Sequence, residues 1–486
     1  MTEEPRFQEL RRRLGEVEDL RKARQLLQWD LETMMPPGGA EVRAEQLGTL
    51  ARIAHELFIS DELGAVLDDL RAYEESVAYD SDEASLVRVT RRDYERARRV
   101  PAELRAEIVR VGAHGLRAWH EAREANDYDV FRPALERNLE LQDRYVECLD
   151  GAGDRYDVLV ADHEPGLTTK DIEAVFDPLK AELVPLVAAL EPLEDAAFDL
   201  GFDRARRREA MGGVLERLGF TREWGRIDHS VHPFAASFGH GDVRLTTYDE
   251  GDLRTLYATL HEFGHGLYEH GVSPALERTL LGEGASSAIH ESQSLLWENH
   301  VGRSRPFCDW LAGFLGVDAA ALYRTANRVE RSLIRVDADP ITYSLHVVFR
   351  FELERELVSG SLAPADLRDA WNARVADYLA LDVPDDRRGV LQDIHWSDGL
   401  MGYFPSYALG HVASVQIWER ARADLPELDA DLERGEFAPL VEWLREHVHR
   451  HGRKFTTAET LERAAGGPFD PGPLLRHVRA KLEEVR

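Results

Sequence analysis

Residues 261–265 have the sequence His-Glu-Phe-Gly-His, which combines two imidazoles and a carboxylate in the pattern H-E-x-x-H. In a helix, side chains four residues apart lie one above the other, so His261 and His265 can bind one metal ion. Glu262 then lies on the adjacent side, where it can take a proton from a metal-bound water. The pattern therefore predicts the core of a zinc peptidase site.

The sequence around this motif predicts that a single helix carries it. We expect Asp252 to cap the start of this helix, and Gly271 with Pro274 to end it. Gly264 and Gly266 each cost about 1 kcal/mol relative to alanine inside a helix, which is tolerated where a substrate or another helix packs closely. A buried stripe with helical spacing is formed by Leu253, Leu256, Tyr257, Leu260 and Leu267.

A catalytic zinc ion needs a third protein ligand and an open position for water. The carboxylates that follow the motif belong to Glu277, Glu283, Glu291 and Glu298. We expect Glu277 and Glu283 in connecting turns, and the other two on one face of a helix over residues 285–301. Spacing alone therefore leaves the choice between Glu291 and Glu298 open.

The charge of the chain limits its partners. The net charge is −30, charged residues make up 31% of the chain, and only five of the 60 basic residues are lysines. So acidic a protein disfavours nucleic acid and anionic membranes as partners. An acidic, lysine-poor composition also predicts adaptation to high salt, where repulsion between like charges is screened. We expect the fold and the activity to persist in molar salt.

Cysteine content and hydropathy predict a cytoplasmic protein. The two cysteines, Cys148 and Cys308, imply no disulfide framework and fit a reducing cytosol. The charged start of the chain lacks the apolar segment that is typical of a signal peptide. No stretch approaches the roughly 18 apolar residues of a membrane-spanning helix.

Helical periodicity dominates the chain, and one segment departs from it. Residues 242–247 alternate polar and apolar side chains and predict a short strand before the motif helix. No linker divides the chain, so we predict one catalytic unit over residues 1–486, with an N-terminal helical portion (1–150) and a zinc-binding portion (151–486). Outside the motif, helices are predicted at 5–33, 40–58, 60–76, 81–98, 101–125, 128–150, 170–192, 204–219, 309–334, 343–358, 364–381, 406–424, 437–451 and 457–465.

Several motifs, in their order along the chain, resemble the carboxypeptidase Taq family of metallocarboxypeptidases. The H-E-x-x-H motif is followed by His-Glu-Ser at residues 290–292. Residues 334–340 match the family segment Ile-Arg-x-x-Ala-Asp-Pro, and residues 389–396 match Gly-x-x-Gln-Asp-x-His-Trp. Further matching segments are Leu-Gln-Trp-Asp at 27–30, Met-Pro-Pro-Gly at 35–38 and His-Pro-Phe at 232–234. The resemblance extends from about residue 20 to the C-terminus.

This resemblance implies His261, His265 and Glu291 as metal ligands, and so selects Glu291 over Glu298. It implies a mostly α fold, a large clam-like helical peptidase with a long central groove and a small β-sheet beside the zinc helix, similar to neurolysin and angiotensin-converting enzyme. It also implies a homodimer. Zinc is the expected ion, and cobalt is a possible substitute.

Hydrolysis of a C-terminal peptide bond needs an activated water, a stabilised oxyanion and a bound substrate carboxylate. We predict that Glu262 takes the proton of the water and passes it to the leaving amine. The oxyanion needs a second donor besides the metal, and the candidates are Tyr403 and Tyr407, with His395 nearby in sequence; which tyrosine acts is open, and we assign Tyr407 and His395 to catalysis and Tyr403 to substrate binding. On the strength of the resemblance, Arg335 is predicted to bind the carboxylate, because a guanidinium donates two hydrogen bonds to it.

Other interpretations of individual residues are open at this point. Tyr403 and Tyr407 are also compatible with an aromatic core. His232 either contacts the substrate backbone or is a core histidine. His447 and His451 also have i, i+4 spacing, but no glutamate follows His447 and basic residues surround the pair, so we interpret them as a helix-terminal cluster.

The predicted function is a zinc-dependent carboxypeptidase of broad specificity that acts on peptides with a free C-terminus. An endo-acting zinc oligopeptidase could use the same ion and the same Glu262, but it would also cleave peptides with an amidated C-terminus. A non-catalytic helical scaffold with a vestigial site is the third hypothesis, and it predicts that the protein retains no metal.

Overall fold

The computed structural model describes residues 4–149, 153–191, 204–230, 232–248 and 253–485. Its described elements are mostly helices, as the sequence predicts, and a three-stranded sheet accompanies them. The helices that precede the sheet are α1 (Pro5–Thr33), α2 (Ala40–Phe58), α3 (Asp61–Asp69), α4 (Arg71–Ser76), α5 (Asp82–Arg99), α6 (Ala102–Ala125), α7 (Tyr128–Cys148), α8 (Arg155–Val160), α9 (Thr169–Ala188) and α10 (Arg204–Arg217).

The sheet and the helices after it complete the described chain. The strands are β1 (Gly225–His229), β2 (Ala235–Ser237) and β3 (Val243–Thr247). The helices that follow are α11 (Leu253–Gly271), α12 (Ser287–Leu295), α13 (Arg305–Leu315), α14 (Ala319–Ala326), α15 (Tyr343–Ser359), α16 (Leu367–Leu379), α17 (Phe404–Asp424), α18 (Leu428–Arg434), α19 (Ala438–His447), α20 (Thr457–Ala465) and α21 (Pro471–Val485).

Some predicted helix boundaries are wrong. α3 and α4 replace the single helix predicted at 60–76, and α13 and α14 replace the one predicted at 309–334. Gly316 ends α13 in the left-handed conformation, with φ of 72°, which glycine adopts without steric cost. The prediction also omitted α8, α18 and α21. The predicted cap of the motif helix, Asp252, lies outside the described residues.

The predicted strand is confirmed as β3, which occupies the centre of the sheet. The strand order is β1-β3-β2, with β1 parallel and β2 antiparallel to β3. Leu245 of β3 is fully buried, and a Cβ atom on Gly266 would lie 2.7 Å from its Cδ2 atom. The sheet therefore packs directly on α11, at a point where the helix has no side chain.

Two glycines allow three helices to approach closely around the candidate metal ligands. A Cβ atom on Gly264 of α11 would lie 2.4 Å from the carbonyl oxygen of Gln293 in α12. A Cβ atom on Gly410 of α17 would lie 2.7 Å from Cβ of Glu291. Because real Cβ atoms do not approach so closely, any larger residue would separate these helices. The mid-helix glycine at 264 is therefore explained by helix packing, as expected.

α17 lies between two hydrophobic clusters of the protein. Its residues Phe404, Leu409 and Val412 pack with α9, α15 and α16 in one cluster. Ile417 and Trp418 of the same helix pack in a second cluster with α11 and α13. None of the helices within the described residues combines the length and the hydropathy that crossing a bilayer requires.

A buried carboxylate joins four segments next to α12. Glu164 is fully buried and follows α8. Its Oε1 accepts hydrogen bonds from the backbone N–H of Ala288 at 2.6 Å and from the hydroxyl of Ser406 at 2.7 Å. Its Oε2 accepts one from Thr457 at 2.8 Å. Glu164 therefore connects the segment after α8 to α12, α17 and α20.

Glu164 is expected to make the stability of the protein depend on pH. Burial raises its pKa from the usual 4.5 to about 7. Between these values the folded protein keeps a proton that the unfolded chain has released, so the free energy of unfolding falls as the pH rises, by about 3 kcal/mol in all. Urea unfolding at pH 5 and pH 8 should show that Glu164→Gln lacks this fall. An identical pH dependence in the two proteins would contradict the assignment.

Candidate active site

α11 and α12 bring together three side chains that could hold a metal ion. The ligand atoms of His261, His265 and Glu291 all lie within 4.8 Å of one another. Oε2 of Glu291 is 3.7 Å from Nε2 of His261 and 3.7 Å from Nε2 of His265. Two imidazoles and one carboxylate form a ligand set that suits zinc and leaves a position for water.

Glu298 lies behind His261 and not among the converging ligand atoms. Its Oε2 is 2.9 Å from Nδ1 of His261, and its Oε1 accepts a hydrogen bond of 3.0 Å from Arg303. Because the carboxylate can only accept, Nδ1 carries a proton, and in the neutral imidazole the lone pair is therefore on Nε2, on the side of Glu291. Despite burial, His261 and Arg303 lower the pKa of Glu298 to about 2, so it stays ionised.

The chain segment that carries Glu298 is not regular α-helix. The helix predicted over residues 285–301 is α-helical over Ser287–Leu295 and continues as a π-helix over Leu296–Val301. A π-turn inserts one residue into the helical repeat and changes the direction of the side chains that follow. Glu291 and Glu298 therefore approach His261 at different ring nitrogens.

A second chain of hydrogen bonds orients His265. Its Nδ1 lies 2.6 Å from Nδ1 of His290, and Nε2 of His290 lies 2.8 Å from Oε1 of Glu269. The carboxylate of Glu269 fixes the proton of His290 on Nε2. Nδ1 of His290 then accepts a hydrogen bond from the Nδ1–H group of His265. Nε2 of His265 is then left unprotonated, as a metal ligand requires.

The charges around the ligands fit a divalent cation. Burial disfavours a charged imidazole, but the carboxylates of Glu291, Glu298 and Glu262 outweigh burial and raise the pKa of His261 to about 10. A site that holds a proton so strongly on a ligand nitrogen attracts a metal ion in its place. The residues present are therefore suited to the ion by ligand type, by orientation and by charge.

Glu262 lies inside the site beside this ligand set. Its side chain is buried, with 7% exposure. Burial raises the pKa of Glu262 to about 7; His261 opposes this shift and Glu291 supports it. A carboxylate with a pKa near the working pH exchanges protons readily, which suits a general base.

A cluster of two arginines and one aspartate supplies surplus positive charge near the ligands. Nε of Arg335 donates to Oδ1 of Asp393 at 2.9 Å, and Nε of Arg350 donates to Oδ2 at 2.6 Å. Burial favours neutral Asp393, but Arg350 and Arg335 hold its pKa well below the usual range. Within the described residues, the Nη atoms of Arg335 have no hydrogen-bond partner. The cluster therefore has one uncompensated cation.

The candidate oxyanion residues adjoin this cluster. The guanidinium of Arg335 lies over the ring of Tyr407, 4.6 Å from its centroid, and Nε2 of His395 lies 3.0 Å from the Tyr407 hydroxyl oxygen. Burial, against the charge of Arg335, raises the pKa of Tyr407 to about 12, so its O–H stays intact at neutral pH. The ring of Tyr403 lies 5.1 Å from that of Tyr407. The structure thus brings these four predicted residues together.

The other three histidines considered in the sequence, His232, His447 and His451, lie elsewhere. His232 is exposed, and its carbonyl oxygen accepts a hydrogen bond of 2.5 Å from Ser230; no contact within the described residues links its side chain to the other candidates. α19 ends at His447, whose ring stacks on Trp443 at 4.3 Å, so His447 and His451 do not share one helix. The interpretation of that pair as a helix-terminal cluster agrees with this arrangement.

With the geometry established, comparison with known proteins decides the family. The model of the carboxypeptidase Taq (M32) metallopeptidase family matches residues 9–482. The chain belongs to this family. It is 36% identical to carboxypeptidase 1 of Bacillus subtilis, over 100% of this chain and 99% of that protein. It is 35% identical to thermostable carboxypeptidase 1 of Thermus thermophilus, over 99% of each chain.

Solved structures agree with this assignment. The crystal structure of the M32 carboxypeptidase from Deinococcus radiodurans matches with a TM-score of 0.92 and 40% identity, covering 99% of each chain. The structure of the Pyrococcus furiosus carboxypeptidase matches with a TM-score of 0.93 and 32% identity, covering 99% of each. The resemblance seen in the sequence is thereby confirmed. The chain is a metallocarboxypeptidase and hence a hydrolase, and its family implies a divalent metal ion.

Several residues that hold the site of this M32 metallocarboxypeptidase together were not predicted from the sequence. Tyr343 donates a hydrogen bond of 3.2 Å to Oε1 of Glu291, but 52 residues separate the two, so no spacing indicated the contact. Asp393 and Arg350 were likewise unassigned. Glu269 was detectable, because it follows His265 by four residues on the same helix face.

Loss of the carboxylate behind His261 is expected to weaken metal binding. Glu298→Gln keeps an oxygen near Nδ1 but removes the negative charge that makes the imidazole more basic, so zinc affinity should fall about 10- to 100-fold. Competition with a chromogenic chelator would measure this. Glu277→Gln, at an exposed carboxylate outside the ligand group, is the control and should bind zinc as the wild type does. Equal affinities for all three proteins would refute the role given to Glu298.

Proposed function

We propose that this metallocarboxypeptidase is a zinc enzyme of broad specificity that hydrolyses the C-terminal peptide bond of peptides, with Glu262 as general base. The observation that supports it most directly is the convergence of His261, His265 and Glu291 beside the buried Glu262. Cobalt is expected to substitute for zinc, because the same ligands suit both ions.

Each residue has a distinct part in the proposed mechanism. When bound, the ion polarises the scissile carbonyl and acidifies the attacking water. Glu262 takes the proton of that water and delivers it to the nitrogen of the leaving amino acid. Tyr407, held by His395, donates its O–H to the carbonyl oxygen as negative charge develops there.

Recognition of the C-terminus is assigned to Arg335. Asp393 occupies its Nε and orients the guanidinium, so both Nη atoms can donate to a substrate carboxylate. The surplus positive charge of the cluster favours an anionic group at this place. This favours carboxypeptidase action over an endo-acting oligopeptidase, whose substrates need no terminal carboxylate. Tyr403 and His232 are proposed as additional substrate contacts.

Peptides with a free C-terminus test the proposed function. We expect mass spectrometry to show sequential loss of residues from the C-terminus, which a chelator abolishes and zinc or cobalt restores. Internal cleavage would instead indicate the oligopeptidase. A protein that binds no metal, or binds zinc without cleaving any peptide, would indicate the vestigial scaffold.

Further properties of the molecule are proposals that rest on the composition of the chain and on its resemblance to the family. We propose a single catalytic unit over residues 1–486, a clam-like groove similar to that of neurolysin and angiotensin-converting enzyme, and a cytoplasmic homodimer adapted to high salt. Ion pairs between α1 and the segment after α11 support the single unit, since Asp19 binds Arg278 at 2.6 Å and Lys22 binds Glu283 at 3.2 Å. Sedimentation in molar salt would test the dimer.

A further inference from the structure

A large cavity lies beside the candidate active site. It has a volume of about 1630 Å³, and its lining includes residues of α2, α5 and α6 and the segments 161–163, 165–166 and 399–401. None of the proposed metal ligands lines it, and neither does Glu262. It is therefore a space that the reaction itself does not use.

The charge of this cavity is opposite to that of the protein. Nine arginines and seven carboxylate side chains line it, and no lysine does, whereas the whole chain carries a net charge of −30. Several of the carboxylates are already paired with lining arginines: Glu74 with Arg91 at 3.2 Å, and Asp162 with Arg96 at 2.7 Å. The cavity thus retains positive charge in an otherwise acidic molecule.

Arg105 carries part of this positive charge. It lies on α6, its side chain is half-buried, and it lines the cavity together with His55 of α2 and Tyr145 of α7. Its Nε is shielded from water and has no hydrogen-bond partner among the described residues. Because Arg105 is a partly exposed lining residue, its guanidinium charge is placed where an anionic group in the cavity can pair with it.

A continuous row of side chains connects the cavity with the proposed carboxylate site. The ring of His163, which lines the cavity, lies 5.0 Å from the ring of Tyr403. Tyr403 is followed by Tyr407 at 5.1 Å, and Tyr407 by the guanidinium of Arg335 at 4.6 Å. The whole row is about 15 Å long, which about five residues of extended chain can span.

We propose that this cavity binds the amino-terminal part of longer peptide substrates and favours acidic side chains there. The inference rests on the proposed function, because Arg335 must bind the C-terminus for the peptide to run along the row. Residues more than about five positions before the C-terminus then enter the cavity. Aspartate or glutamate at those positions pairs with the arginines, whereas lysine is repelled.

Peptides with identical C-terminal halves test the proposal. Their amino-terminal halves are all aspartate, all serine or all lysine, and an acetylated dipeptide serves as a substrate too short to reach the cavity. In low salt we expect kcat/KM for the aspartate peptide to exceed that for the lysine peptide by at least about threefold, and the ratio to shrink in molar salt. Arg105→Gln should reduce this ratio and leave hydrolysis of the dipeptide unchanged. Arg105→Lys should retain most of the ratio.

Equal rates for the three peptides, or a ratio that Arg105→Gln leaves unchanged, would overturn the proposal. A binding experiment separates its failure from failure of the proposed function. Fluorescence anisotropy of the labelled aspartate and lysine peptides on zinc-loaded Glu262→Gln measures the preference without catalysis. One outcome separates the two: the wild type cleaves no peptide, the aspartate peptide still binds more tightly than the lysine peptide, and Arg105→Gln weakens that preference. In that case the cavity assignment stands and the proposed function does not.

Discussion

Glu262→Gln is expected to lower kcat by about a thousandfold or more and to leave zinc binding intact. The amide has the shape of the carboxylate but cannot take a proton from the attacking water, and general-base catalysis contributes about 10²- to 10⁴-fold. Glu262 is not one of the converging metal ligands, so the ion should stay bound. Single-turnover rates and the zinc content of the same preparation would measure both effects.

Glu262→Asp is the matched comparison for this prediction. It keeps a carboxylate but moves it by about one carbon–carbon bond, and displacement of a catalytic group by about 1 Å costs roughly a hundredfold. Its activity should therefore lie between those of the wild type and Glu262→Gln. A glutamine variant with more than a tenth of wild-type activity at saturating zinc would show that another group takes the proton.

Arg335→Gln is expected to lower kcat/KM for peptides with a free C-terminus by about a hundredfold, mainly through KM. The variant loses the cation that is proposed to bind the substrate carboxylate, and removal of one partner from a buried charged hydrogen bond costs about 2–5 kcal/mol. Asp393 keeps its bond to Arg350, so the fold should survive the change. Thermal unfolding of Arg335→Gln checks that the variant is folded.

Amidated peptides make this test specific. The wild type should cleave them about as poorly as Arg335→Gln cleaves the free acids, and Arg335→Gln should show no further loss on amidation. Arg331→Gln, four residues earlier in the chain, is the control and should behave as the wild type in both assays. Efficient cleavage of amidated peptides by the wild type would contradict the role of Arg335 and favour an endo-acting enzyme.

The motif helix and the strand before it were predictable because their signals are local. The i, i+4 spacing of His261 and His265 fixes their relative direction on any α-helix. Alternation of side chains indicated β3, and both appear in the structure. The broken helix at 309–334 was not predictable in this way, since Gly316 is tolerated within a helix as well as after its end.

The proposed third ligand and the proposed carboxylate site could not be derived from spacing. Glu291 and Glu298 follow one another by two helical turns, so a regular helix presents both to the same neighbour. Arg335 is one of 55 arginines, and its proximity to Tyr407 joins residues that are 72 positions apart. Only resemblance to the family singled out Glu291 and Arg335 from the sequence.

The sequence by itself therefore determined the family, the helical class and the motif that begins the site. The tertiary structure decided which carboxylate faces the imidazoles. Close packing at Gly264 and Gly410, and the π-turn at Leu296–Val301, place Glu291 by the Nε2 atoms and Glu298 by Nδ1. It also decided that, among the residues that the structure describes, the Nη atoms of Arg335 have no hydrogen-bond partner, because Asp393 binds only its Nε. Such choices depend on contacts between distant segments, which local periodicity does not encode.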